Sequence, residues 1–192
     1  MNVVQPIRNI KVIEKMKRLM LKDHKIREYV LFTIGINFGI RISDILALKW
    51  KDIWDGKKFH DQIAIREKKT NKHKTFVLND SCRSALKLLL EEFNEAQSED
   101  YLFPSLSNRV KNKPVSRQYV WDFMNQYARL AGSEERVGTH TLRKTFGYFA
   151  YQKGISLELL QAILNHNSSK ETLLYIGITQ DEINDVYINL NL

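Results

Sequence analysis

The chain has a single cysteine, Cys82, so no intrachain disulfide is possible and a disulfide scaffold is excluded. With 3 prolines and 8 glycines in 192 residues it cannot be collagen-like, and it carries no low-complexity tract. Long apolar runs are missing too. The longest, Tyr29 to Ile40, falls short of a membrane span and closes on Arg41, and the first twenty positions mix charged and apolar residues at helical spacing, unlike a signal peptide. Its five histidines, His24, His60, His73, His140 and His166, show neither a HExxH pair nor cysteine support, which leaves no reading for a bound metal. Acid is scarcer than base. Thirty Lys and Arg against 22 Asp and Glu give a net charge of +8 and a pI of about 9.5, favouring a polyanionic partner. A cytoplasmic protein with no membrane partner is expected.

What is present suffices for a core: 43% of the chain is hydrophobic and 10% of it aromatic. Ile10, Ile13, Met16, Lys17 and Met20 recur at helical spacing within a helix predicted from about Ile7 to Leu21, and a second runs from Ile26 towards Phe38. Gly39 interrupts it, placing Arg41 at a bend, with Ser43 or Asp44 as the candidate cap of a short following helix. Between Lys51 and Leu78 the pattern changes. Asp55-Gly56 signals a turn, Gln62 to Glu67 alternates, and Lys74 to Leu78 reads as another strand, with the basic tip Lys68 to His73 between them. Helices are expected near Ser81 to Glu95, Ser116 to Ala131, Thr141 to Lys153, Ser156 to Leu164, Ser169 to Ile176 and Gln180 to Ile188. The reading is one mixed domain over residues 1–192, mainly α, with a small antiparallel sheet of two or three strands.

Cutting a phosphodiester without metal requires a nucleophile, cationic donors for the charge that develops on the non-bridging oxygens, and an acid for the departing 5′ oxygen. The chain offers each type, spread from Arg41 to Tyr175. His140 and Arg143, three apart, share one face of a helical turn and can address one phosphate. Ordered local patterns make the identification sharper. Gly39-Ile40-Arg41-Ile42-Ser43-Asp44-Ile45-Leu46-Ala47-Leu48-Lys49-Trp50 resembles the first arginine motif of tyrosine recombinases of the phage-integrase family. His140-Thr141-Leu142-Arg143 is similar to their H-x-x-R motif, and Leu164-Asn165-His166, with Tyr175 nine positions on, to their last histidine and nucleophile. Lys69-Thr70 resembles the site of their catalytic lysine. The set keeps the family's order and spans about Ile26 to Ile176.

The resemblance implies a fold like the catalytic domain of DNA breaking-rejoining enzymes, and a site-specific recombinase or integrase acting without cofactor. Tyr175 would attack phosphorus and hold a 3′-phosphotyrosine, conserving the bond's energy for rejoining. Arg41 and Arg143 would clamp the scissile phosphate through paired guanidinium donors. His140 would handle a proton or bond phosphate, His166 would donate to another phosphate oxygen, and Asp44 would either orient Arg41 or cap a helix. Lys69 is the implied general acid, with Lys68, Lys72 and Lys74 as competitors and as DNA contacts alongside Arg109, Lys111, Lys113 and Arg117. Tyr187 is the rival nucleophile, but no histidine precedes it at a matching distance.

Two departures stand out. Asn165 replaces the glycine usual before the last histidine, and asparagine tolerates a left-handed turn better than most residues. About twenty-five residues precede the first matched helix, so the family's N-terminal core-binding domain is expected to be absent, whether as an excised catalytic fragment or a minimal protein. The implied partner is double-stranded DNA, with a free monomer and a tetramer on synapsed sites, in DNA recombination or integration of a mobile element. The alternatives are a non-catalytic DNA-binding regulator, suggested by the helix-turn-helix look of Ile155 to Ile176, and a type IB topoisomerase.

Overall fold

An almost wholly apolar helix organises the chain. In the computed structural model, which describes residues 4–107, 112–135, 137–178, 184 and 187–190, α2 (Ile26–Phe38) buries Val30, Leu31, Phe32, Thr33, Ile34 and Phe38. Past the Arg27–Glu28 pair in its first turn, its apolar residues face nearly every side and must be covered on every side. α1 (Ile10–Lys22), α5 (Asp80–Glu92) and α7 (Thr141–Gln152) pack around it. α1 turns Ile13, Met16 and Met20 inward and leaves Ile10 at its exposed edge. Cys82 lies in the core on α5, beside Ala85, Leu86 and Leu89.

The remaining elements attach to this frame. α3 (Ile42–Ile45) and α4 (Trp50–Ile53) follow α2, and α6 (Arg117–Ala131) packs on α1. α8 (Leu157–Leu164) and α9 (Ser169–Ile176) lean on each other and on α7. Serine side chains cap three of these helices, Ser116 for α6, Ser156 for α8 and Ser168 for α9, each accepting from a backbone N–H three residues on. The expected cap for α3 is corrected: Arg41 holds the N-cap position without a side-chain bond, because Ser43 and Asp44 already lie inside the helix.

The sheet has two strands among the described residues, β1 (Gln62–Arg66) and β2 (His73–Val77), antiparallel with Ile65 opposite Lys74 and Arg66 opposite His73. A period of two sets their faces. Ile63, Ile65 and then Glu67 turn inward from the first strand, and Lys74 and Phe76 from the second, where Phe76 packs on Phe38 of α2. The expected tail helix from Gln180 to Ile188 lies largely outside the described residues.

Two glycines fix close approaches near the site. Gly39 ends α2 in the left-handed region at φ +59°, and a Cβ there would sit 2.5 Å from the Phe146 ring. At Gly147 a Cβ would meet Ile176 Cγ2 at 2.6 Å, so its absence lets α9 lie flush on α7 one residue beyond Tyr175.

Candidate active site

The bend after α2 delivers Arg41, α7 delivers His140 and Arg143, and the α8–α9 turn delivers His166. Glu67 is the residue that joins the first two. Its carboxylate, 2% exposed, lies 2.9 Å from Arg41 Nη1 and 3.9 Å from Arg143 Nη1, bridging guanidinium groups that stand 102 positions apart in the chain. The Thr70 hydroxyl also donates to Glu67, at 2.6 Å. Burial alone would raise the Glu67 pKa, but Thr70 and Arg41 outweigh it and hold the carboxyl below its usual range. Neither Nη1 makes a directional hydrogen bond among the described residues, although both are buried. Two guanidinium groups thus lie together against one shared buried carboxylate, which holds both cations in one place.

Glu67 was not among the residues singled out from the sequence, yet strand parity marks it. It continues the inward Ile63, Ile65 face, and a carboxylate on a buried face needs cations. Glu67→Gln is therefore expected to cost about 3 kcal/mol at neutral pH, the scale for breaking a buried ion pair. Because the folded-state pKa is depressed, that contribution is present above the ordinary carboxylate pKa of 4.5 and is lost as pH falls through the lower folded value. Denaturant unfolding should find the gap between variant and wild type closing as pH falls below the ordinary carboxylate range; a gap that stays constant with pH would show that the charge is not what stabilises.

His140 is the N-cap of α7 and Arg143 lies in its first turn, so the positive end of a 12-residue helix dipole adds to the charge of the guanidinium. Arg143 is 3% exposed and donates from Nη2 to the Leu164 carbonyl, at the end of α8. His166 follows two residues later, after Asn165 in the left-handed region at φ 48°, ψ 51°. That backbone geometry is the one expected where the family has glycine.

His166 Nδ1 lies 3.2 Å from Thr172 Oγ1, and that hydroxyl donates to the Ser168 carbonyl at 3.1 Å. With the Thr172 proton directed to Ser168, His166 Nδ1 donates to Thr172 and Nε2 is left for the site. The pKa values of His140 and His166 are lowered by burial first; Arg143 and Arg41 contribute to both, and Glu171 opposes the shift at His166. Both imidazoles are consequently neutral near pH 7.

Tyr175 sits on α9 with its ring edge-on to His166, centroids 4.7 Å apart, and with Lys144 Nζ 5.0 Å above its ring centroid. Burial raises its phenol pKa, while Arg143 and Arg41 pull the other way. The chain before α1 helps to place α9: Arg8 donates to the Gly177 carbonyl at 2.8 Å and pairs with Glu135.

The other expected residues divide. Asp44, expected to orient Arg41 or cap a helix, instead accepts from the Lys68 backbone N–H at 3.0 Å and anchors the hairpin tip. Lys69 is exposed on that tip, apart from the buried pair. Lys68, Lys113 and Arg117 are exposed, and Lys72 is exposed while reaching Asn165 Oδ1 at 2.9 Å. Lys74, expected among the DNA contacts, is turned inward by strand parity and bonds backbone carbonyls. Arg109 and Lys111 lie outside the described residues. No cluster of three or more metal-ligating side chains occurs among the described residues, and no helix among them is long and apolar enough to cross a membrane.

Comparison with known proteins bears on this arrangement. A family model described as the phage integrase family matches residues 10–182. The chain is 39% identical over 187 residues to the probable integrase/recombinase YoeC of Bacillus subtilis (strain 168), covering 97% of each. It is 28% identical over 181 residues to the tyrosine recombinase XerA of Pyrococcus furiosus (strain ATCC 43587 / DSM 3638 / JCM 8422 / Vc1), where it spans 94% of itself and 60% of that protein. Solved structures give the same fold. A XerA recombinase crystal structure superposes with a TM-score of 0.75 at 20% identity over all of this chain and 65% of that one. XerH bound to palindromic difH substrate in a post-cleavage complex gives 0.72 at 24% identity, over all of this chain and 54% of that one. A lambda integrase tetramer bound to a Holliday junction gives 0.64 at 19% identity, over 91% and 49%.

Proposed function

The chain belongs to the phage integrase family, and on that premise we propose that it is a tyrosine-type site-specific recombinase that cuts and rejoins double-stranded DNA through a 3′-phosphotyrosine at Tyr175. The observation that carries this reading is the meeting of Arg41, Arg143 and Glu67 in one buried cluster, with the α8–α9 turn bonded to it through Arg143. A regulator that merely gripped DNA would have no use for buried, charge-balanced guanidinium groups beside a phenol.

In the proposed reaction the scissile phosphate docks on Arg41, Arg143 and the N-terminus of α7. The Tyr175 oxygen attacks phosphorus as its proton passes to a neutral imidazole, for which His140 and His166 are both prepared by their lowered pKa values. A new P–O bond to tyrosine forms as the bond to the 5′ oxygen breaks, and Lys69 on the hairpin tip supplies that oxygen's proton. Attack by a 5′ hydroxyl from a second duplex reverses the steps. No cofactor enters the scheme, since the exchanged bonds are alike in energy.

Similarity to proteins solved on DNA supports a DNA partner, and the lambda integrase tetramer on a Holliday junction supports assembly of four protomers on synapsed sites; the free protein is read as a monomer. The chain is read as one catalytic domain acting in the cytoplasm. It matches nearly all of YoeC but 60% of XerA, so recombination by this chain alone is part of the proposal. A nicked suicide substrate carrying the cognate site tests it: a covalent adduct resistant to denaturation, whose nucleotide maps by peptide mass to the segment holding Tyr175, is expected. Relaxation of supercoiled DNA lacking any site, without strand exchange, would instead indicate a topoisomerase.

A further inference from the structure

The carboxyl end of α8 reveals how the hairpin is joined to the catalytic turn. A helix leaves its last four carbonyls without intrahelical donors. In α8 these belong to Gln161, Ala162, Ile163 and Leu164. The chain's own turn satisfies the first two, through the N–H groups of His166 and Asn165. Cations satisfy the others: Arg143 Nη2 bonds the Leu164 carbonyl, and Lys74 Nζ bonds that of Ile163 at 2.7 Å. Lys74 Nζ also lies 3.4 Å from the Gly39 carbonyl, two residues before Arg41. Lys72, two positions back on the same hairpin, reaches the C-cap side chain Asn165 at 2.9 Å.

From this we infer that Lys74 is a positioning residue, a clasp that locks the Arg41 bend and the His166 turn to the hairpin bearing Lys69. The inference rests on the recombinase reading for its consequence, though not for its geometry. Among the described residues Nζ is the single group that bonds both carbonyls, so removing it takes away this link between the end of α2 and the end of α8. A cation at the negative end of a helix is favoured electrostatically, which suits ammonium to this place. Burial, with Arg143 and Arg41 adding to it against Glu67 and Asp44, brings the Lys74 pKa down to about 8, consistent with an ammonium held inside the cationic cluster and not spread on DNA. Acting on carbonyls, Lys74 touches no reacting atom; Lys69 remains the acid.

The experiment separates positioning from proton donation. Single-turnover cleavage by wild type, Lys74→Met, Lys74→Arg and Lys69→Met is measured on suicide substrates with either the natural 5′ oxygen or a bridging 5′ sulfur, whose thiolate leaves without protonation. Lys74→Met should be slowed about 100-fold on both substrates alike, the scale of a small misplacement of reacting groups, with DNA affinity within about threefold of wild type. Lys74→Arg, which keeps a donor for Ile163, should recover to within about fivefold of wild type. Lys69→Met should be slow on oxygen and restored by sulfur. Cleavage of the oxygen substrate by Lys74→Met at the wild-type rate would overturn the inference, as would rescue of that variant by sulfur, which would make Lys74 the acid. Hydrogen exchange without DNA gives an independent arm: amides of residues 163–168 in Lys74→Met should exchange about tenfold faster than in wild type while those of α2's centre are unchanged. Unaltered exchange would refute the clasp. If wild type itself forms no adduct, the recombinase reading fails, and the exchange result alone decides for or against the clasp.

Discussion

Replacing Tyr175 by Phe is expected to abolish covalent capture of DNA while leaving site binding within about threefold of wild type, since only the attacking oxygen is lost. The substitution is mild for the fold. The contacts of the ring with His166 and Lys144 involve its face and edge, which Phe retains, so stability should change by less than about 1 kcal/mol. The raised phenol pKa argues that the proton is still on Tyr175 in the resting site and leaves only as phosphorus is approached. Tyr187, 79% exposed, is the control: Tyr187→Phe should form adduct at the wild-type rate. An adduct formed by Tyr175→Phe at comparable yield would assign the nucleophile elsewhere and remove the chemistry proposed for α9.

Arg143→Lys should lower the single-turnover cleavage rate by roughly 10²- to 10³-fold, the cost of losing a prepared donor to a developing oxyanion. Charge is conserved in this variant, so the deficit would report geometry. Arg143 uses Nη2 to hold Leu164 and keeps Nη1 near Glu67, and one ammonium cannot hold both directions with a planar fork's spacing. On the proposed reading, affinity for DNA should fall much less, because the other basic residues would share the phosphate contacts. A cleavage rate within threefold of wild type would place the scissile phosphate away from Arg143. Arg143→Ala is a poorer test, since it would leave the buried Glu67 carboxylate short of a partner and mix stability with catalysis.

Local chemistry written in the sequence accounts for much of the fold. The α2 and α9 ranges, the bend at Gly39 and the antiparallel hairpin follow from apolar spacing, glycine and alternation, each decided within a few residues of chain. The resemblance carried by Arg41, His140, Arg143, His166 and Tyr175 likewise needs only their order. Glu67 and Lys74 were less legible. Each sits beside a basic turn where a charged residue ordinarily means solvent, and parity with Ile63, Ile65 and Phe76 was the single hint that both point inward. The cap expected of Asp44 fails for a related reason: capping is a local rule, whereas its partner, the Lys68 N–H, lies 24 positions away.

By itself, then, the sequence determined helix identity, strand parity, family and the types of chemical group on hand, because these depend on neighbours along the chain. Only the tertiary structure decided that one carboxylate stands between two distant guanidiniums, and that a lysine and an arginine complete the carbonyl end of α8. Burial supplies the reason. A polar group removed from water must find its complement wherever packing brings one, and packing is a property of the whole fold.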